Sequence, residues 1–140
     1  MEIILDATDM IAGRLATRAA KEALHGKDVR IVNAEKAVIT GSPVKVKQRY
    51  HETRAEKGQP HKGPYIPRMP DRFLKRLIRG MLPHRQARGA EAYKRIKCYV
   101  GIPHEFKDKK IEKAGKDTKK LPTLKYTTVH EICKYMGGKV

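Results

Sequence analysis

Cysteine is scarce: the 140 residues contain only Cys98 and Cys133, with no CxxC pair. This excludes a disulfide framework and the tight cysteine knuckle of a structural zinc site. No apolar run approaches the ~20 residues of a membrane-spanning helix. The opening MEIILDATDM is acidic and has no basic stretch leading into an apolar one, so a secretory signal is not expected. Acidic residues are few as well, 15 against 32 Lys+Arg, which leaves a net charge of +17. Such an excess argues against a small enzyme of neutral metabolites and points to a polyanionic partner. Hydrophobic residues still make up 39% of the chain. That is enough for the core of one domain of this length and excludes wholesale disorder.

Glycine-rich phosphate loops are missing too. The segment after the first apolar run, Asp6 to Gly13, holds one glycine. A dinucleotide fingerprint needs three, and a P-loop needs Gly-Lys-Ser/Thr. Carboxylates at Asp6 and Asp9 would repel a pyrophosphate. Gly13 reads instead as a close-packing position in a helix.

The charge is unevenly placed. Residues 1–44 balance six basic against six acidic side chains, residues 45–99 hold sixteen against four, and residues 100–140 hold ten against five. Nine of the twelve arginines lie in the middle segment, whereas all ten cations after residue 99 are lysines. Arginine's planar fork bonds phosphate bidentately and stacks on bases; lysine acts as a mobile point charge. A neutral scaffold, a basic reading surface and a looser electrostatic tail are therefore expected.

The neutral segment reads as α/β. Glu2–Asp6 is a short buried strand. A helix follows with Ile11, Leu15, Ala19 and Ala23 on one face, Thr8 or Asp9 as its cap, and a stop at His25-Gly26. Val29–Val32 and Ala37–Thr40 are further strands. Strand, helix and strand in about 30 residues make a βαβ unit with parallel strands. Ser42 caps the next helix, with Pro43 at its first position.

The most specific pattern is Pro70 to Leu82. At 100° per residue from Arg72, Lys75, Arg76 and Arg79 lie at about 300°, 40° and 340°. Phe73, Leu74, Leu77, Ile78, Met81 and Leu82 fill about 100° to 280°. The cationic stripe has only Asp71 for company, in the first turn, where the helix dipole favours an acid. A solvated face would mix Glu with Lys; four unbalanced cations ask for an anion.

Loops extend this surface. Gly58 to Arg68 is too rich in Pro and Gly for regular structure and supplies Lys62 and Arg68 for phosphates and Tyr65 for stacking. Pro83 to Gly89 reads as another loop, and Arg95–Val100 as a strand with Ile96, Cys98 and Val100 facing inward. Residues 107–125 are lysine-rich and too polar to build a core. Thr128-Val129-His130-Glu131 matches a capping box, and Val129, Ile132, Cys133 and Met136 continue at helical spacing to Gly137-Gly138.

Metal and catalytic readings are thin. His104, His130, Cys98 and Cys133 lack the spacing of a zinc set. Asp6, Asp9 and Glu35 could meet near strand ends as a magnesium site, though nothing in their spacing requires it.

Several stretches together resemble the L13 family of large-subunit ribosomal proteins. They are Asp6-Ala7 with Gly13-Arg14-Leu15-Ala16, Val32 to Gly41 (VNAEKAVITG), and Gly63-Pro64 with Arg68-Met69-Pro70. Ile78 to His84 (IRGMLPH) and Tyr99 to Pro103 (YVGIP) complete the set. The resemblance covers residues 1 to about 106. It implies a three-layer α/β/α fold with a small, mostly parallel sheet of about four strands. It also implies a cytoplasmic, ribosomal role in binding and stabilising large-subunit ribosomal RNA, early in assembly, beside neighbouring ribosomal proteins. No membrane, small-molecule substrate, cofactor or metal is expected. The lysine-rich tail, and the lack of an extra N-terminal segment, resemble the archaeal and eukaryotic branch.

The expected organisation is thus one domain, residues 1–106, with its RNA-binding middle at 45–99, and an extension, 107–140, ending in a short helix. Candidate RNA contacts are Lys47, Arg49, Arg54, Lys62, Tyr65, Arg68, Arg72, Lys75, Arg76, Arg79, His84, Arg85 and Arg88, then Lys109, Lys110, Lys119 and Lys120 in the tail. The alternatives are a magnesium-dependent nucleic-acid or nucleotide enzyme and a general DNA-binding module. The latter lacks any helix-turn-helix, finger or zipper pattern.

Overall fold

The computed structural model describes residues 1–113 and 117–140; residues 114–116, with Lys116 of the lysine run, lie outside the described part. β1 (Glu2–Asp6) pairs in parallel with β2 (Asp28–Val32), which pairs in parallel with β4 (Ile96–Cys98). On its other side β1 takes the two-residue β5 (Glu112–Lys113), also parallel, so the sheet order is β4-β2-β1-β5. The register aligns Ile3 with Val29 and Ile96, and Leu5 with Ile31 and Cys98. One sheet face is therefore apolar, and it joins the main core.

That core is closed by helices. α1 (Ala12–Leu24) buries Leu15, Ala16, Ala19 and Ala23, a stripe of mostly small side chains that lets α3 (Pro70–Arg79) and α4 (Ala87–Arg95) pack close to it. α3 contributes Phe73, Leu74 and Ile78. α2 (Pro43–Ala55) has no fully buried residue and docks through Val46 and Tyr50, the Tyr50 ring meeting Phe73 edge-on at 5.0 Å. Beyond the opposite sheet face lies a thinner layer: a 3-10 turn at His104–Phe106 drops Phe106 onto Ile4 and Val32, flanked by Tyr99 and Ile111. The α/β class and the mainly parallel four-stranded sheet agree with the sequence reading; this outer layer is a turn, not a long helix.

Other details differ. The strand expected at Ala37–Thr40 is β3 (Val38–Thr40), which leaves the main sheet and pairs antiparallel with β6 (Tyr126–Thr128). The α1 cap is not Thr8 or Asp9. Thr8 turns back to Asp6, Asp9 adopts φ 57°, and the helix starts after Ile11 with no side-chain cap. Ser42 holds the N-cap position of α2 but makes no capping hydrogen bond, leaving Pro43 as the start signal. Gly13 is exposed, and a Cβ there would meet nothing within 4 Å, so close packing is not its role. α3 ends at Arg79, three residues early; Met81 N–H to Ile78 O and Leu82 N–H to Arg79 O continue as tighter turns. Val100 is exposed, and Cys98 is only partly covered.

Where the sequence reads as a loop through Gly89, the chain forms α4. Gly89 sits inside the helix because the backbone of the preceding turn runs against it: an added Cβ would lie 2.0 Å from the Pro83 oxygen. A glycine that reads as a breaker is here the one residue that lets helix and turn touch.

The C-terminal stretch also departs from an extension outside the domain. Residue 106 is not a boundary of the core, because Val129, Ile132, Cys133 and Met136 belong to it, all at most 4% exposed. They lie on or just after α5 (Val129–Tyr135), which packs on α2 and α3. The capping box is half made: Thr128 Oγ1 accepts from the Glu131 N–H, while the Glu131 carboxylate turns to the Thr127 hydroxyl at 2.8 Å. Even the polar run is tied down, with Thr118 N–H donating to Asp9 O and Arg18 pairing Glu112 at 3.0 Å.

Candidate nucleic-acid interface

The strand ends are held by a polar knot. Asp6 Oδ1 accepts from the Thr8 N–H, the Thr8 hydroxyl and the Asn33 amide, at 3.0, 2.7 and 3.0 Å. Partial burial would raise the Asp6 carboxyl, but these hydrogen bonds outweigh it and hold the group below its ordinary value of 3.8. Glu35 accepts from the Gly101 N–H at 3.1 Å, while Asn33 N–H and Ala34 N–H donate to Gly101 O and Tyr99 O. The VNAE and YVGIP stretches are thus one hydrogen-bonded unit. Asp6, Asp9 and Glu35 do not converge, and no group of three metal-ligating side chains occurs among the described residues. Cys133 is fully buried, and burial, with the Asp71 charge behind it, pushes its thiol up to about 12; it is no nucleophile at neutral pH.

The basic residues assemble on α3 and the segments at its two ends. Arg72 is exposed and Arg76 and Arg79 are half-exposed on the outer side of α3, opposite Phe73, Leu74 and Ile78. Lys75 bends over the Tyr93 ring of α4, 4.7 Å from its centroid. Beyond the helix, His84, Arg85 and Arg88 are exposed, with His84 Nδ1 lying 3.4 Å from Leu82 O. Before it, Arg68 and Lys62 are exposed, and Arg54 reaches from α2 to donate to the Ile66 carbonyl. Arg49 is exposed on α2.

None of these cations has a carboxylate within 4.0 Å among the described residues. Asp71, the acid of α3, is half-buried beside Arg72 and Lys75; it makes no ion pair within 4.0 Å among the described residues, and its Oδ1 is buried without a hydrogen-bond partner there.

Two candidates are placed differently. Lys47 pairs with Glu131 at 3.4 Å, across α2 and α5. Lys109 pairs with Glu2 at 2.9 Å and covers the Phe106 ring at 5.2 Å. Both serve packing between elements. Lys110, Lys119 and Lys120 are exposed on the tail, the last two in a 3-10 turn at Thr118–Lys120. Tyr65 is 61% exposed, its hydroxyl donating to His61 O.

Sequence reading missed three residues of this surface. Lys97, pointing outward on β4, lines a cleft of about 250 Å³ with Arg72 and Lys75; its alternation along the strand was the available signal. His51 shares a face of α2 with Lys47 and Arg54 at helical spacing, a pattern open to inspection. Tyr135 meets His51 edge-on at 5.6 Å, and nothing in the sequence joins them.

The fold and this arginine face, which makes no ion pair among the described residues, define a small basic α/β protein that presents its cations around a hydrogen-bonded scaffold. Its relatives give that class a family. The family model described as Ribosomal protein L13 matches residues 1–105. The chain is similar to the large ribosomal subunit protein uL13 of Methanosarcina barkeri, 49% identical over 138 residues, spanning 97% of this chain and 98% of the relative. The uL13 proteins of Methanococcoides burtonii and Haloarcula marismortui are 45% and 39% identical, over 97% and 98% of this chain and 98% and 92% of their own lengths. The chain belongs to the ribosomal protein L13 family, as an archaeal-type member, and that family is one of structural ribosomal proteins, not enzymes. No helix among the described residues is long and apolar enough to cross a membrane.

Proposed function

We propose that this chain is a structural constituent of the large ribosomal subunit in the cytoplasm, where it binds and stabilises large-subunit ribosomal RNA from an early stage of assembly, beside neighbouring ribosomal proteins. The observation that carries the reading is the outer side of α3: Arg72, Arg76 and Arg79 on a helix anchored by Phe73, Leu74 and Ile78, with no carboxylate partner among the described residues. Like charges held this close on a rigid element repel until phosphates neutralise them. Folded RNA offers such phosphates where its segments converge, and it is recognised mainly by shape. The protein performs no chemical step: the scaffold positions, and the arginines neutralise. The exposed lysines of the tail extend the same field over a greater distance.

The test is salt dependence. Binding to a folded fragment of large-subunit RNA should weaken with a log–log slope of several units. Changing Arg72, Arg76 and Arg79 together to Gln should lower that slope by about 2 to 3 while leaving thermal unfolding cooperative. A slope near zero, or equal affinity for duplex DNA at matched salt, would remove the proposal.

A further inference from the structure

Between α2, the loop before α3 and the end of α5 lies a cleft of about 290 Å³ lined by His51, Arg54, Tyr65, Arg68 and Met136. It holds two guanidinium groups and no acid. Arg54 is fixed by its bond to the Ile66 carbonyl, and Arg68 stands close enough for its charge to act on it. Neither makes an ion pair among the described residues. The α2 acid Glu52 is turned away, to Gln48 at 2.8 Å.

Flat faces complete the cleft. The Tyr65 ring is mostly exposed and tethered through its hydroxyl, while His51 is braced by Tyr135, itself 53% exposed. The cleft joins the middle of the chain to its C-terminal end. Gly138 packs against the Arg68 backbone so tightly that a Cβ would lie 2.4 Å from its oxygen, so α5 sets where Arg68 stands.

We infer that this cleft receives a single unpaired nucleotide of the bound RNA, its phosphate on Arg68 and Arg54 and its base against Tyr65 and His51. The inference rests on the RNA reading above and adds a specific element to it. A lone phosphate would need the arginines but not two aromatic faces. A duplex cannot enter, since its bases are stacked and its width far exceeds a cavity at the small end of ligand pockets, ~300 Å³. An extruded base stacks on aromatic and guanidinium planes while its phosphate meets the cations. Its role is to register the protein on a bulge or loop, where charge alone would let it slide.

The experiment uses the full chain and three probes: an RNA hairpin with one bulged 2-aminopurine, the same hairpin without the bulge, and free adenosine 5′-monophosphate. The bulged hairpin should bind about tenfold tighter than its partner, with a change in fluorescence. Tyr65→Ala and Arg68→Gln should each abolish that advantage and leave the melting curve intact, both side chains being exposed. Tyr65→Phe should retain it. Arg76→Gln with Arg79→Gln should weaken both hairpins alike. Equal affinity for the two hairpins, or an equal loss on both from Tyr65→Ala, overturns the cleft while leaving the general RNA reading standing. Free nucleotide binding as tightly as the bulged hairpin overturns it in favour of a small-molecule site. If neither hairpin binds, both readings fall.

Discussion

Asn33 sits in the left-handed region, φ 55°, almost fully buried, with its amide on the Asp6 carboxylate. An Asx residue tolerates that backbone and supplies the donor that keeps Asp6 charged under partial burial. Because the Asp6 carboxyl is held below its ordinary value in the fold, its contribution to stability is complete above the ordinary carboxylate range. It is lost as pH falls through the folded value. Asn33→Gly keeps the positive φ and deletes the donor. It should cost about 1.5–3 kcal/mol near neutral pH, the range for a hydrogen bond to a charged group. The gap from wild type should narrow in acid, as Asp6 becomes protonated in both proteins. Denaturant unfolding across pH checks this; a gap independent of pH would mean that Asp6 and Asn33 are not coupled.

At the scale of elements, α3 and α4 show two kinds of helix signal. α3 is readable from the sequence because its apolar half and cationic stripe obey one period. Its hydrophobic side is buried where the angles place it, apart from Met81 beyond the helix end and the partly covered Leu77. α4 was not readable: its buried positions are Gly89 and Ala92, too small to make an apolar pattern. What specifies α4 is contact, the Pro83 carbonyl against Gly89 and the Lys75 ammonium over Tyr93. Gly89→Ala should therefore destabilise by about 3 kcal/mol, the upper part of the overpacking range, although alanine is the better helix former. An isolated-helix view predicts a gain of about 1 kcal/mol. Chemical denaturation of the single variant decides between these opposite signs.

For the whole molecule, the main question is what the last fifteen residues do. Four side chains there, Val129, Ile132, Cys133 and Met136, are sealed in the core. At ~1.5–3 kcal/mol for burying a large apolar side chain, their sum is comparable to the whole stability of a small domain, ~5–15 kcal/mol. A chain cut back to Phe106 should fail to fold cooperatively, as judged by calorimetry. Trypsin should cut the intact protein at the exposed Lys119, Lys120 and Lys125, and the large N-terminal piece and the piece from Tyr126 onward should still elute together under native conditions. A stable core ending near Phe106, with the C-terminal piece released, would restore the extension as a separate part.

The sequence by itself determined the charge partition, the α/β start, the faces of α3 and the family resemblance, because each depends on local period, composition or motif. The core strands and the α3 anchor were legible for the same reason: burial alternates with a fixed repeat. Only the tertiary structure decided that β3 pairs with β6, that Lys47 and Lys109 are spent on Glu131 and Glu2, and that α5 closes the core. Those facts depend on pairs of residues distant along the chain, and no short-range pattern encodes which partner a lysine or a three-residue strand will meet. The cleft belongs to the same class. His51, Arg68 and Tyr135 are ordinary polar positions along the chain, and they become neighbours because Gly138 lets the end of α5 rest on the backbone at Arg68.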